Sequence, residues 1–207
     1  MTTDLDTQVR EADLDRWLSS RFVTDEAARA DLITLYALEA ELLAIPTRVT
    51  QPLLAEMRYT WWAEQMEGVF ENKPRVGHPV LEALTDLVAR HGLDRAPFDA
   101  VIEAHVARVH NEPHDLDAFF VGPMQVAVRI LAGPGHEQAV VEAGRYLGLM
   151  QTGREDEARA IRAGANKALR HLPAVAFPAI AHASLSRQMP EPVKRVKLFW
   201  NMLRGRI

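Results

Sequence analysis

Apolar positions recur with a helical period along nearly the whole chain, and no run of alternating β-branched residues stands out. The first strong pattern predicts a helix capped by Thr24, with Asp25 and Glu26 in its first turn, where negative charge suits the helix dipole. It runs through Leu32, Leu35, Tyr36, Leu42 and Leu43 until Pro46 ends it. Apolar positions 32, 33, 35, 36, 38, 42, 43 and 45 cover more than one stripe, as in a central, mostly buried helix. Glu39 and Glu41 interrupt that surface. Either each reaches solvent or a basic partner from a helix edge, or they mark a polar spot inside a bundle cavity. Thr50 then caps a second long helix, with Pro52 in its first turn and Leu53, Met57 and Trp61 on one face.

Proline and glycine punctuate the rest. Pro79 starts a helix that stops at Gly92, and Pro97 opens one carrying Phe98, Val101, Ile102, His105, Val106 and Val109. Asp115 to Ala132 reads as helical, kinked or broken at Gly122-Pro123. Residues 134–150, 154–171 and 174–188 predict three more helices, and Val193 to Arg206 a final basic one. No internal repeat and no linker long enough to divide domains is present. Short connections favour antiparallel neighbours. The expectation is one all-α domain over residues 1–207, an antiparallel helical bundle with residues 1–10 as a mobile N-terminal tail.

Composition narrows the functions. The chain has 207 residues, 48% hydrophobic and 25% charged, with 24 bases against 28 acids, a net charge of −4. That balance does not suit a nucleic-acid-binding surface, so no nucleic acid is expected as partner. Cysteine is absent, which removes disulfides, thiolate metal sites and cysteine nucleophiles. The opening MTTDLDTQVREADLDRW is acidic and reads as neither a secretory signal nor a mitochondrial presequence. No stretch approaches the roughly 18 consecutive apolar residues that span a bilayer. The expected location is cytoplasmic, with peripheral attachment to the inner face of a membrane left open.

The runs DLITLYALEAELLAIPTRV, LLAEMRYTWWAEQMEGV and HPVLEAL, in this order, resemble the first half of a squalene/phytoene synthase. Tyr36-Ala37, Arg58, Trp61-Trp62 and His78-Pro79-Val80 stand where that family has its tyrosine helix, its "R-x-x-W-W" helix and its "H-P-V" helix. GRYLGLM at 144–150 is similar to a later "G-x-x-L-G" helix, so the likeness extends over about three quarters of the chain. The resemblance implies an all-α isoprenoid-synthase fold, here shortened. In active members two aspartate-rich patches hold Mg²⁺ against prenyl diphosphates joined head to head, because departing diphosphate needs its charge neutralised by a cation with oxygen ligands.

This chain departs from that pattern. Aligned on Tyr36, the first aspartate-rich patch falls on Leu43, Ala44 and Thr47, with Pro46 inside it. Glu39 and Glu41, two apart, diverge by about 200° on a helix and cannot share one metal. Glu39 alone offers one ligand. Of the second patch, Glu155, Asp156 and Glu157 remain, and they read more simply as acids in the first turn of the next helix. Losing a single charge stabiliser commonly costs about 10²–10³ in rate, and losing several ligands together abolishes the metal site. The resemblance therefore points to a non-catalytic member without metal or other cofactor. It is most similar to the branch related to mitochondrial complex I assembly factors, which Leu38-Glu39-Ala40-Glu41-Leu42 fits. Two alternatives stand beside it: a surviving Mg²⁺-dependent prenyl-diphosphate transferase, and a carrier that holds a lipid or isoprenoid in the vestigial pocket.

The candidate residues follow from these readings. Tyr36, Glu39, Leu43, Arg58, Trp61 and Trp62 would line the vestigial pocket, or else the tryptophans are core anchors and Arg58 pairs with an acid such as Glu39 or Glu41. His105, His110 and His114 with Glu112, Asp115 and Asp117 contain metal-ligand types. Pro113 interrupts their helix, however, and a polar loop at a helix end explains the same letters. Lys194, Arg195, Lys197 and Arg204 alternate with Phe199 and Trp200 near the C-terminus. Such a helix either lies on an anionic membrane or partner surface, or covers the bundle with its apolar face and leaves its charges wet. The second arrangement is the simpler expectation. The predicted partner is a protein, at or near a membrane.

Overall fold

In a computed structural model, which describes residues 4–186 and 188–207, ten α-helices follow one another and the described residues contain no strand. They are α1 (Leu5–Ala12), α2 (Leu14–Ser20), α3 (Glu26–Arg48), α4 (Pro52–Phe70), α5 (Pro79–His91), α6 (Ala96–Val109), α7 (Leu116–Ala132), α8 (Val141–Gln151), α9 (Glu155–Ala168) and α10 (Glu191–Arg204). Short 3-10 turns occupy Glu137–Val140, Leu169–His171, Ala174–Ala179 and Ala181–Ser184.

Helix α3 is the axis of the bundle. Every residue from Asp31 to Glu39 is buried, and α1, α4, α5, α6 and α7 pack around it. Its cap is Asp25, whose carboxylate accepts from Ala28 N at 2.8 Å, one residue after the predicted Thr24. Pro46 does not end it. Proline has no N–H to give the carbonyl four residues back, so Leu42 O loses its helical donor. The Tyr59 hydroxyl on α4 donates to that carbonyl at 3.0 Å instead, and α3 continues to Arg48. Pro123 likewise lies within α7, which is assigned without a break. Gly92, at φ 54°, closes α5 as predicted.

Three expectations need correction. Residues 1–10 are not a tail from Leu5 onward; residues 1–3 lie outside the described residues. Asp4 caps α1, Val9 is buried, Asp6 accepts from Trp17 Nε1 at 2.9 Å and pairs with Arg21, and Gln8 donates to Glu41. Residues 174–184 form 3-10 turns rather than a helix, since Pro173 and Pro178 withhold donors; Pro178 O accepts from the buried Ser19 hydroxyl. On α4 the buried face is Ala55, Tyr59, Trp62, Met66 and Val69, whereas Leu53 and Met57 face outward.

Helices α7 and α8 cross closely. A methyl group at Gly144 would come within 2.8 Å of Phe120 O and 2.9 Å of Val121 Cα, and at Gly148 within 2.8 Å of the Phe120 ring. Gly144 thus marks a close backbone approach, and Gly148 makes room for the Phe120 ring.

Candidate functional site

A charged pair lies in the interior between α2 and α3. Arg16, from α2, forms an ion pair with Glu39 on α3, and both side chains are almost wholly buried. The guanidinium lies 5.2 Å from the centre of the Tyr36 ring, and that ring meets His182 edge-on with centroids 6.3 Å apart. Tyr36 Oη, Glu39 Oε1 and both ring nitrogens of His182 are buried without a hydrogen bond among the described residues. Burial pushes the Glu39 carboxyl up and Arg16 pulls it back, leaving it above the ordinary carboxylate range. Burial likewise raises the Tyr36 phenol. Burial, then Arg16, lowers the His182 imidazole to about 3, so it is neutral. Sequence reasoning missed Arg16, because α2 was not predicted and nothing local marks an arginine as buried.

A second polar group lies between α4, α6 and α7. His105 is buried, stacks on Tyr59 with centroids 5.0 Å apart and meets Phe119 edge-on. Arg108 Nη2 donates to His105 Nδ1 at 2.9 Å, so that nitrogen is an acceptor and the ring proton sits on Nε2. Burial first, then the neighbouring Arg108, lowers this imidazole to about 3. Arg108 also lines a cleft of about 400 Å³ formed by Pro46, Val49, Thr50, Pro52, Ala55 and Val109, where the end of α3 meets the start of α4.

None of the six predicted pocket residues lines that cleft. Tyr36 and Glu39 belong to the interior cluster. Trp61 and Trp62 pack against one another and against His78, with centroid distances of 5.2 to 5.7 Å, as aromatic anchors. Leu43 and Arg58 face solvent, and Arg58 makes no ion pair with Glu39 or Glu41, which bind Arg16 and Arg48 instead. The outward turn of Leu43 follows from the packing of α3 through Leu42 and Ile45.

The residues present do not fit a Mg²⁺–diphosphate centre. The carboxylate of Glu39 is taken by Arg16, and positions 43, 44 and 47 hold no acid. Glu155, Asp156 and Glu157 form the exposed first turn of α9, where Arg154 and Arg159 pair with them. The histidine set is not assembled either. His105 turns inward, His110 pairs with Glu56 at 2.8 Å, and Asp117 binds Arg145 through two oxygens. Among the described residues, no three of His, Asp and Glu come together in a way that suits a metal.

Helix α10 presents the reverse of its simpler expectation. It rests on α2 and the 3-10 turns through Lys194 and Leu198, and buried Lys194 reaches Asp15 on α2 at 2.6 Å. Val193, Val196, Phe199, Trp200 and Leu203 are 50–64% exposed. The apolar face points outward because the lysine's counter-ion lies inside.

Matched against known families, the chain fits squalene/phytoene synthase over residues 9–120, just over half of its length, and it belongs to that family. The match covers the tyrosine, tryptophan and histidine–proline segments and stops inside α7, before the glycine pair of α8. Its all-helical build is that of the isoprenoid-synthase fold. No curated protein and no solved structure matches the chain. No helix among the described residues is long and apolar enough to cross a membrane.

Proposed function

We propose that this squalene/phytoene synthase-like protein is non-catalytic and works as a binding or assembly factor, of the branch resembling complex I assembly factors. The observation that carries the reading is the Arg16–Glu39 pair. One turn before the lost aspartates, the Glu39 carboxylate is buried and paired with Arg16 from within the fold, and Glu41 is paired with Arg48, so both serve the fold and not a metal ion. A diphosphate-ionising centre needs several convergent oxygen ligands. The exposed Leu43 and the arginine-paired acids of α9 supply none. The Leu38–Leu42 run, with glutamates in place of aspartates, supports the assembly-factor branch.

The test is calorimetric titration of the protein with a prenyl diphosphate, with and without Mg²⁺, followed by an assay for released pyrophosphate. The expected result is no Mg²⁺-dependent binding and no pyrophosphate. Mg²⁺-dependent binding with turnover would make the protein a transferase and overturn the reading.

A further inference from the structure

The outward face of α10 has the build of a helix that lies on a charged lipid surface. At about 100° per residue, Val193, Val196, Phe199, Trp200 and Leu203 fall within an arc of about 120°. The buried Lys194 and Leu198 sit on the opposite side of the helix. Arg195 borders the apolar arc on one flank and Lys197 and Arg204 on the other. Helix α10 is about 21 Å long at 1.5 Å per residue. From position 191 onward the chain holds Lys194, Arg195, Lys197, Arg204 and Arg206 against the single acid Glu191, although acids outnumber bases in the chain as a whole.

The face is also fixed outward. Lys194 anchors one end of α10 to Asp15. Beyond the other end, buried Ile207 donates its N–H to Asn166 Oδ1 at 2.9 Å and its carbonyl accepts from Arg162 Nε at 3.1 Å, both on α9. With both ends tied, the helix cannot roll its apolar stripe onto the bundle without breaking the buried Lys194–Asp15 pair, which is costly.

We infer that this face docks the protein on the surface of an anionic bilayer, with Phe199 and Trp200 inserted at the headgroup level and the flanking cations on lipid phosphates. A large apolar stripe with basic flanks and an aromatic pair is what interfacial helices use, and each cation near an anionic surface adds attraction that salt screens. A second copy of the chain fits the face poorly, because pairing two stripes sets Arg195, Lys197 and Arg204 against their own counterparts. The inference does not depend on whether the bundle interior is catalytic.

The test is flotation of the purified protein with vesicles of phosphatidylcholine alone and of phosphatidylcholine mixed with phosphatidylglycerol, at low and high salt. The expected result is binding to the anionic vesicles at least about tenfold stronger than to neutral ones, weakened by salt. Phe199→Ser/Trp200→Ser, at exposed positions and checked for an unchanged urea midpoint, is expected to lose at least about tenfold of that binding. Lys197→Gln/Arg204→Gln is expected to lose the preference for anionic lipid and keep the fold. Failure of the unmodified protein to float with anionic vesicles overturns the inference. So does equal binding by the Phe199/Trp200 variant, or a concentration-dependent dimer that this variant abolishes and vesicles do not compete with.

Discussion

Arg16 and Glu39 bind each other where neither can be hydrated, and removing one charge strands the other. Glu39→Gln should therefore lower unfolding stability by about 3 kcal/mol, read as a shift of the urea midpoint. Arg16→Met/Glu39→Met, which removes both charges, should recover most of that loss. A variant as stable as the unmodified protein would mean the pair is hydrated. His105 and His182 make an opposite demand. Both are neutral in the fold, with values near 3, while the unfolded chain takes up protons below about 6.5. Between those limits the unfolded state binds more protons, so stability is full above the upper limit and falls as pH drops, by about 1 kcal/mol per pH unit for each ring. Urea midpoints measured at pH 7 and pH 5 should show that fall, and His105→Phe should roughly halve it, leaving the share of His182. A pH-independent midpoint would show that both rings are charged or exposed.

At the scale of helices, two glycines separate close packing from mere propensity. Gly144 abuts the backbone of α7, which cannot step aside, so Gly144→Ala should cost about 1–3 kcal/mol. Gly164 on α9 has open space around its missing side chain, and Gly164→Ala should stabilise by up to about 1 kcal/mol. Thermal unfolding of the two variants checks the opposite signs; equal shifts would disprove the close crossing. The Asp15–Lys194 link ties α10 to α2. Asp15→Asn should expose the segment from Glu191 to Arg204 to trypsin while the rest of the chain resists, and unchanged cleavage would show that α10 is held by apolar contact alone.

Taken whole, the molecule has a continuous apolar core running from Val9 on α1 to Ile207 after α10. One core predicts one transition: urea unfolding followed by far-UV circular dichroism and by tryptophan fluorescence should coincide. Separate midpoints would divide the chain into units. Because the acids that remain are paired with arginines, neither Mg²⁺ nor a chelator should move the melting temperature.

By itself the sequence determined the helices that carry local stop and start signals, such as Pro79 with Gly92 and Pro52 at the start of α4, because those signals act within a few residues. It also carried the ordered Tyr36, Trp61-Trp62 and His78 segments by which the family is recognised. It placed the acids of 155–157 in a helix's first turn for the same local reason. Only the tertiary structure decided the rest. Period gives which residues share a face, but α4 and α10 are apolar on more than one side, and the face that packs is chosen by neighbours distant in sequence. Tyr59 keeps α3 intact through Pro46, Asp15 draws Lys194 inward, and Arg16 claims Glu39. Each is a polar group whose partner lies on another helix, and a buried polar group takes the side of its partner whatever its own helix prefers.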